Sequence, residues 1–445
     1  MTSWIHRAAA RRPEGLAIEG PERSLSYRQL AAEAERAAAA LPRLGAGGRV
    51  ALALPPGEDF VIAVHACLLA GVAAVPVDLR HSAQERARRL AGAELVIEEP
   101  LRAGVPAATA PDPAGSGARQ TGGGASPRQI EAPPPGGAAA AVMHTSGTTA
   151  APKPVVLTQT NFLSSALGSA AMLGLDLHER WLCPMPLTHV GGLSIPIRSA
   201  IYATTAVLHG RFDTEAVLAE LMDPARRITL VSLVPTMLAR LLDAGLERPP
   251  TLRWALLGGG PLPPALLERA RAAGVPVAPT YGMTEACSQI ATFGHPLPGV
   301  ELEFSAEGEI LVRGAIVSPG AADAHGWLHT GDLGRLGPSG LEIVGRKADT
   351  IISGGENVAP SEVEAVLLEH PAVADAGVHG RPDPEWGEAI VAAVVLRDGA
   401  GASAQELREH CAARLARFKV PKDVRFVAAL PRTGSGKLLR RELNV

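Results

Sequence analysis

Small hydroxyl residues surround a glycine at residues 144–154, in the run His-Thr-Ser-Gly-Thr-Thr-Ala-Ala-Pro-Lys-Pro. The backbone N–H groups and hydroxyls of such a loop can donate hydrogen bonds to phosphate oxygens, and Lys153 adds a positive charge. The run is not a Walker A loop, because no Gly-Lys-Ser/Thr follows at the required spacing. A solvated turn is the simpler interpretation of the run alone, so a phosphate site is a hypothesis that other motifs must support.

A second motif, Tyr-Gly-Met-Thr-Glu, ends at Glu285 and follows an apolar run, Trp254–Leu257, and a glycine turn at 258–260. The Tyr281 ring could stack on a base, the Thr284 hydroxyl could contact a phosphate, and the carboxylate could bind Mg²⁺. The simpler interpretation is the start of a helix, with the threonine as its cap and the glutamate in its first turn. The apolar run before the glycines predicts a strand.

Three further segments carry charged or flexible groups. Asp332, in a Thr-Gly-Asp sequence, could accept hydrogen bonds from both hydroxyls of a ribose, although an aspartate turn is simpler. Arg346 opens a stretch containing the pair Gly354 and Gly355, which suits either a functional domain junction or a linker followed by a hairpin. Lys437 lies in a Gly-Ser loop, where a lysine is ordinarily only a solubilising charge.

These five motifs, in this order, resemble the adenylate-forming superfamily of acyl- and aryl-CoA ligases, firefly luciferase and the adenylation domains of peptide synthetases. The resemblance covers residues 25–443, nearly the whole chain. It implies an enzyme whose substrates are a small carboxylic acid, ATP with Mg²⁺, and coenzyme A. The acid and ATP give an acyl-adenylate and pyrophosphate, and the CoA thiol then takes the acyl group.

The resemblance also implies roles for individual residues. The phosphates are assigned to Thr145, Ser146, Gly147, Thr148, Thr149 and Lys153, and the rest of the AMP site to Gly259, Tyr281 at the adenine, and Asp332 and Arg346 at the ribose. Catalysis is assigned to Lys437, Thr284 at the α-phosphate, Glu285 as the Mg²⁺ ligand, and His189.

The chemistry explains why such residues are needed. A carboxylate is a weak nucleophile and ATP is also an anion, so their approach must be screened electrostatically. The resemblance places Lys437 between the substrate carboxylate and the α-phosphate during adenylation. It then implies rotation of the small domain about Ala348, which removes the lysine and brings Gly354 and Gly355 to a pantetheine tunnel.

Residues 185–202, 206–212, 256–261 and 281–290 are similar to the o-succinylbenzoate-CoA ligases of menaquinone synthesis, one group within the superfamily. Their acid carries a second carboxylate on its ring, which needs a polar or cationic partner. The similarity places the following residues in the acyl pocket: His189, Ser194, Arg198, Gly258 and Gln289.

Simpler interpretations of this pocket stay open. Arg198 could pair with a surface acid, and His189 could pack in a turn. Another aromatic or a short aliphatic acid is an alternative substrate, although a neutral acid would leave the arginine uncompensated. Ala150 and Pro154 stand where most members carry glycine, and proline has no backbone N–H to donate. A catalytically silent nucleotide-binding protein is therefore another alternative.

Alternating helices and short apolar strands predict α/β layers in the first part of the chain, with strands at 49–54 and 73–77 and a capping box at Ser26 and Gln29. Residues 60–77 predict a buried helix, a glycine turn and a strand. Residues 102–138 predict a long irregular connection.

A smaller α+β unit is predicted after Gly345. It has capping boxes at Ser361 with Glu364 and at Ser403 with Glu406, and a strand at 389–396. The superfamily resemblance accordingly implies a large domain at 1–345, of two α/β subdomains with a distorted β-barrel, and a mobile α+β domain at 346–445.

Composition narrows the class of protein further. With 42 basic and 45 acidic residues among 445, the net charge of -3 gives no footprint for nucleic acid or an anionic membrane. The four cysteines lie too far apart in sequence for a paired zinc motif, which favours reduced thiols and a cytosolic compartment. A homodimer is one expectation for the assembly.

Overall fold

A computed structural model describes residues 3–45, 47–101, 137–145, 153–432 and 438–443. The predictions for Ser146, Gly147, Thr148, Thr149 and Lys437, and nearly all of the connection predicted at 102–138, lie outside the described residues.

The helices and strands of the described chain have the following bounds. The α-helices are α1 Trp4–Arg11, α2 Tyr27–Ala40, α3 Glu58–Ala70, α4 Ala83–Leu90, α5 Gln159–Leu173, α6 Val190–Tyr202, α7 Thr214–Met222, α8 Pro235–Asp243, α9 Pro264–Ala272, α10 Pro360–Leu368 and α11 Ala404–Ala412. The strands are β1 Leu16–Glu19, β2 Ser24–Ser26, β3 Arg49–Leu52, β4 Ala73–Pro76, β5 Leu95–Ile97, β6 Ala139–Thr145, β7 Lys153–Thr158, β8 Arg180–Cys183, β9 Thr205–Leu208, β10 Leu230–Leu233, β11 Trp254–Leu257, β12 Val277–Met283, β13 Ser288–Thr292, β14 His295–Pro296, β15 Val300–Phe304, β16 Glu309–Gly314, β17 Leu328–Gly337, β18 Gly340–Arg346, β19 Ile351–Ser353, β20 Glu356–Val358, β21 Val373–Asp383, β22 Gly387–Leu396 and β23 Asp423–Phe426.

The first α/β layer is a five-stranded sheet in the order β5-β3-β4-β6-β7. Strands β3 and β4 confirm the two predicted strands, and the capping box of Ser26 and Gln29 opens α2. Helix α3 is buried along most of its length and ends at Gly71, whose φ of 71° is the left-handed conformation that glycine tolerates. The predicted sequence of buried helix, glycine turn and strand is therefore confirmed.

A nine-stranded sheet forms the second layer, in the order β14-β13-β12-β11-β10-β8-β9-β1-β2. Its central strands, from β12 across to β9, are parallel to one another. Parallel sheets of this kind bind ligands beyond the carboxyl ends of their strands. The glycine turn at 258–260 follows β11 at that edge, as the sequence predicts.

A four-stranded antiparallel sheet, β15-β16-β17-β18, forms a half-barrel beside the two layers. In the pairing of β17 with β18, Asp332 lies directly opposite Arg346. The register of this hairpin therefore brings together the two residues that the superfamily resemblance assigns to a ribose. The fold is the predicted combination of two α/β subdomains, a distorted barrel and a small α+β domain.

The C-terminal unit contains the sheet β20-β19-β22-β21, with β23 paired to β22, and helices α10 and α11. Its core includes Val363 and Leu367 from one helix and Leu407 and Cys411 from the other. Strand β22 confirms the strand predicted at 389–396, and the capping box of Ser403 with Glu406 is also confirmed. The boundary predicted between residues 345 and 346 stays a prediction.

The capping box predicted at Ser361 and Glu364 is wrong. Helix α10 begins at Pro360, two residues before the start that this box predicts, and the Ser361 hydroxyl instead donates to the Val344 carbonyl at 2.5 Å. The Glu364 carboxylate accepts hydrogen bonds from the backbone N–H of Val378 and from Arg440. These tertiary partners occupy both side chains, so neither caps the helix.

No helix in the described ranges is long and apolar enough to cross a membrane.

Candidate active site

Tyr281, Asp332 and Arg346 form one hydrogen-bonded cluster between the nine-stranded sheet and the half-barrel. The Tyr281 hydroxyl donates to Asp332 Oδ2 at 2.8 Å, and Arg346 Nε lies 2.7 Å from Asp332 Oδ1. Burial, and then the charge of the neighbouring carboxylate, raise the pKa of Tyr281 above its ordinary value, so the phenol keeps its proton. The cluster presents an aromatic ring, a carboxylate and a guanidinium, the groups that a nucleoside requires.

The glycine turn after β11 lies against the same strand that carries the tyrosine. A Cβ atom on Gly258 would lie 2.7 Å from Thr280 Cγ2, closer than packing allows, and Gly259 has a φ of 79°. Both positions therefore require glycine, one for space and the other for backbone conformation. This close approach leaves the turn's backbone at the edge of the cluster, where the sequence places the AMP.

Thr284 and Glu285 lie in a short 3-10 turn, Thr284–Ala286, directly after β12. Met283 is the cap residue and makes no side-chain capping bond, so the interpretation of Thr284 as a helix cap is wrong. The Glu285 backbone carbonyl accepts from Ser318 N at 2.7 Å. Its carboxylate makes no hydrogen bond or ion pair with the described residues, and carboxylate oxygens suit Mg²⁺.

The ends of the predicted phosphate loop meet at the β6–β7 pair. Thr145 lies opposite Lys153, and the Thr145 hydroxyl is 3.4 Å from the Lys153 carbonyl oxygen. His144 lies opposite Pro154, and burial lowers the pKa of His144 to about 4, which keeps its ring neutral. The strand pairing therefore fixes both ends of the loop, with the lysine side chain exposed.

Arg198 projects from α6 into the interior and is 2% exposed. Its Nη2 donates to the Ser165 hydroxyl at 2.9 Å, its Nε has no hydrogen-bond partner within the described ranges, and its Cζ lies 5.7 Å from the centre of the Trp181 ring. No carboxylate among the described residues pairs with it, so the interpretation as a partner of a surface acid is wrong. Burial lowers the pKa of Arg198, which reflects the missing counter-ion.

Ser194 and Gln289, predicted to line the acyl pocket, already have intramolecular partners. The Ser194 hydroxyl donates to the Val190 carbonyl within α6 at 2.6 Å. Gln289 Nε2 donates to Thr292 at 2.9 Å, while its buried Oε1 accepts from no described group. Of the two, only Gln289 keeps an unused polar atom.

His189 precedes α6 and makes no side-chain capping bond. Burial lowers the pKa of His189, with the nearby Asp78 acting in the opposite direction, so the ring is neutral at pH 7. Asp78 also accepts from Thr188 Oγ1 at 3.4 Å and pairs with Arg80 at 2.6 Å. Asp78 therefore connects the end of β4 to the segment that carries His189.

Gly354 and Gly355 form the turn between β19 and β20, with φ angles of 62° and 84°. The hairpin interpretation is confirmed. Gly354 N donates to the Trp386 carbonyl at 2.8 Å, inside the C-terminal unit. Within the described ranges no hydrogen bond joins these glycines to the Tyr281 cluster, and their assignment to coenzyme A stays a prediction.

Ala348 occupies a 3-10 turn, Lys347–Asp349. The residues on either side of it form ion pairs with different parts of the protein. Lys347 Nζ lies 2.5 Å from a Glu307 carboxylate oxygen in the half-barrel. Asp349 Oδ2 lies 3.2 Å from Arg440 in the C-terminal unit. The position suits the pivot that the sequence places there.

Sequence reasoning missed Ser165, Thr280 and Asp78. Ser165 is one of three serines in α5, and neither its neighbours nor its spacing distinguish it from any other buried serine. Thr280 directly precedes the Tyr281 motif, which is a signal that could have drawn attention to it. Asp78 follows an apolar strand, a position where polar residues often reach a site in an α/β sheet.

Comparison with known proteins places this geometry in a family. Residues 5–320 match the AMP-binding enzyme family, and residues 362–437 match the AMP-binding enzyme C-terminal domain. The 2-succinylbenzoate–CoA ligase of Bacillus licheniformis is 40% identical, with 99% of each chain covered. The corresponding ligase of Bacillus subtilis is 38% identical over 99% of this chain and 97% of its own.

Solved structures of the Bacillus subtilis o-succinylbenzoate CoA synthetase are also similar to this chain. The two described next are 36% identical to it, and the alignments cover 100% of this chain and 98% of theirs. Its complex with the acyl-adenylate intermediate OSB-AMP matches with a TM-score of 0.86. A double mutant bound to the product analogue OSB-NCoA matches with a TM-score of 0.68. With family matches in both parts and relatives aligned over their whole length, the chain belongs to the family of AMP-binding enzymes.

Proposed function

We propose that this chain is an ATP-dependent acid–CoA ligase that activates 2-succinylbenzoate, as in menaquinone synthesis. The acid and ATP give 2-succinylbenzoyl-AMP and pyrophosphate, and coenzyme A then gives the thioester and AMP. Full-length similarity to ligases named for this acid supports the proposal. The compartment and the assembly, expected to be cytosolic and homodimeric, stay predictions.

One observation carries the choice of acid: Arg198 is buried and has no carboxylate partner among the described residues. A guanidinium held away from water without a counter-ion is energetically unfavourable. The ring carboxylate of 2-succinylbenzoate would supply a compensating negative charge and accept a hydrogen bond from Arg198 Nε. An acid without that group would leave Arg198 uncompensated.

The nucleotide half of the site follows from the Tyr281 cluster. We assign the ribose hydroxyls to the Asp332 carboxylate and Arg346, and the adenine to the Tyr281 ring. The Glu285 carboxylate, which pairs with no group in the part of the chain that the structure describes, would hold Mg²⁺ bound to ATP. When bound, this ion neutralises part of the phosphate charge that would otherwise repel the substrate carboxylate.

The coenzyme A step requires a second arrangement of the C-terminal unit. The described chain matches the acyl-adenylate complex of its Bacillus subtilis relative better than the complex with a product analogue, which favours the first half-reaction for the present arrangement. We assign the later approach of coenzyme A to the Gly354–Gly355 turn, after rotation at Ala348.

The decisive experiment compares two acids in wild type and in Arg198→Ala, by pyrophosphate exchange and by thioester formation. Removing one partner of a buried charge pair costs roughly 2 to 5 kcal/mol, so kcat/KM for 2-succinylbenzoate should fall roughly 30-fold or more. The analogue that lacks the ring carboxylate should be unaffected or improved, since the variant no longer buries an unpaired arginine. The KM for ATP should be unchanged.

Arg269→Ala is a matched control, because that arginine forms an exposed pair with Asp243 at 2.6 Å. It should leave both acids unchanged. If Arg198→Ala weakened both acids equally, the choice of 2-succinylbenzoate would lose its support. A wild type without pyrophosphate exchange on any carboxylic acid would instead point to a silent nucleotide-binding protein.

A further inference from the structure

Ser165 is the hydrogen-bonding partner of the buried Arg198 guanidinium. Ser165 is 1% exposed on α5, and its hydroxyl accepts from Arg198 Nη2 at 2.9 Å. The same hydroxyl donates to the Cys287 carbonyl at 2.8 Å. It therefore forms a bridge between α6, which carries the arginine, and the chain that follows the Thr284–Ala286 turn.

The direction of the two hydrogen bonds at Ser165 follows from the number of protons that each group can donate. A hydroxyl has one proton, and the Cys287 carbonyl can only accept, so that proton is committed to the carbonyl. The lone pairs of the Ser165 oxygen then face Arg198, and a guanidinium can only donate. The arrangement fixes the hydroxyl rotor and with it the position of one arm of the guanidinium.

The carbonyl that anchors this bridge belongs to an unusual backbone segment. Cys287 and Ser288 have φ angles of 50° and 90°, in a region that residues other than glycine seldom adopt. The segment begins two residues after Glu285 and includes the first residue of β13. Ser165 thus connects Arg198 with a backbone carbonyl two residues after the proposed Mg²⁺ ligand, although both partners of the serine are far from it in sequence.

The choice of a neutral hydroxyl at this position has an electrostatic consequence. A carboxylate beside Arg198 would neutralise the guanidinium internally and leave nothing for a ligand to compensate. Serine supplies a hydrogen bond that orients the arginine but no charge that cancels it. The positive charge therefore stays available to an anionic substrate.

We propose that Ser165 is a positioning residue that holds Arg198 for a second substrate carboxylate, and that it thereby determines the selectivity of the acyl pocket. This inference rests on the proposed function. It predicts that selectivity for acids with two carboxylates depends on Ser165 as well as on the arginine.

The experiment measures KM and kcat of adenylation for 2-succinylbenzoate and for its analogue without the ring carboxylate. The variants are Ser165→Ala, which removes the hydroxyl, and Ser165→Cys, which nearly conserves its volume. A hydrogen bond to a charged group corresponds to roughly a 10- to 100-fold effect, so both variants should raise KM for 2-succinylbenzoate in that range. The kcat, the KM for ATP and the values for the analogue should be unchanged.

Ser165→Asp tests the electrostatic step. The new carboxylate would pair with Arg198, so the variant should lose activity toward 2-succinylbenzoate by at least as much as Ser165→Ala while keeping the analogue. Ser164→Ala is the matched control, because the neighbouring serine on α5 is only half-buried. It should behave as wild type with both acids.

The outcomes separate the two proposals. A wild type that prefers the analogue overturns the proposed function, and the inference with it, before any variant is made. If wild type prefers 2-succinylbenzoate and Arg198→Ala abolishes that preference, unchanged acid selectivity in Ser165→Ala and Ser165→Cys overturns the inference alone. Equal losses for both acids, or losses in kcat rather than KM, also overturn it, since they indicate a packing role.

Discussion

The Tyr281 hydroxyl donates to the Asp332 carboxylate at 2.8 Å, although 51 residues separate the two in sequence. This bond fixes the tyrosine ring at its far end, so the ring can serve as a rigid surface for a base. It also occupies one carboxylate oxygen, while Arg346 Nε contacts the other. The residues proposed for adenine and ribose are therefore one cooperative unit.

Tyr281→Phe should weaken ATP binding while leaving the acid pocket intact. The variant keeps the ring but leaves one oxygen of the buried Asp332 without its donor, a loss of roughly 1 to 2 kcal/mol. That corresponds to an increase in the KM for ATP of about five- to 30-fold. Pyrophosphate exchange at varied ATP measures it.

Tyr27→Phe is the matched control, because the Tyr27 hydroxyl donates to the carbonyls of Ser199 and Thr204 in the core. It should lower stability without changing the KM for ATP. An unchanged KM for ATP in Tyr281→Phe would contradict the role of this pair.

Lys437→Ala should abolish adenylation and spare thioester formation. The assignment comes from the superfamily resemblance: a positive charge is needed when substrate carboxylate and α-phosphate meet, and it leaves before the thiol attacks. Supplying preformed acyl-adenylate with coenzyme A isolates the second step, which should keep most of its rate. Lys419→Ala, which removes a lysine paired with Glu362 at 2.7 Å, should leave both steps near normal. Equal losses in both steps of Lys437→Ala would contradict the assignment.

Local patterns predicted much of the fold because they report on backbone propensity and on one-sided burial. Strands β3, β4 and β11 and the capping boxes at Ser26 and Ser403 are all signalled within a few residues of sequence. The box at Ser361 failed because its hydroxyl finds the Val344 carbonyl, a partner that no local rule can anticipate.

The residues of the candidate site likewise divide into those that a local motif predicts and those that depend on distant partners. Tyr281, Asp332 and Arg346 stand in distinctive motifs, and the structure brings them together. Ser165 has no such motif: its partners Arg198 and Cys287 are 33 and 122 residues away, and only the packing of α5 against α6 and β13 brings them near. Partners that are so far apart in sequence can be identified only when the three-dimensional fold is known.

His65 should make the protein sensitive to acid. It is 2% exposed on α3, and burial lowers its pKa to about 4, against about 6.5 when unfolded. Between these values the unfolded chain binds the proton and the folded chain does not, so the stability present above pH 6.5 is lost as pH falls toward 4. From pH 7 to pH 5 this single residue should lower the free energy of unfolding by about 2 kcal/mol.

Guanidinium titrations at the two pH values test this prediction. His65→Leu should lose less stability than wild type between pH 7 and pH 5, since it has no proton to take up. His295→Leu, at an exposed position in β14, should lose as much as wild type. A His65→Leu variant with the wild-type difference between pH 7 and pH 5 would contradict the prediction.

Lys347 and Asp349 are bound to different parts of the protein, with one residue between them. The lysine lies 2.5 Å from Glu307 in the half-barrel, and the aspartate lies 3.2 Å from Arg440 in the C-terminal unit. Rotation between the two parts at Ala348 would leave both ion pairs in place. Thr350 N donates to the Lys347 carbonyl at 3.3 Å, which places Ala348 at the second position of a tight turn.

Ala348→Pro should leave adenylation near normal and reduce thioester formation at least tenfold, which corresponds to about 1.4 kcal/mol. Proline is favoured at the second position of such a turn, so it is compatible with the present arrangement. It also fixes φ and opposes the rotation that the second half-reaction needs. The measurement compares pyrophosphate exchange with the transfer of preformed acyl-adenylate to coenzyme A. Ala404→Pro is the control for the substitution itself, because it places proline at the first residue of α11, where proline is tolerated. This variant should leave both steps intact. If Ala348→Pro also retained both steps, the domains would rotate about some other position, and the placement of Ala348 between two ion pairs would not identify the pivot.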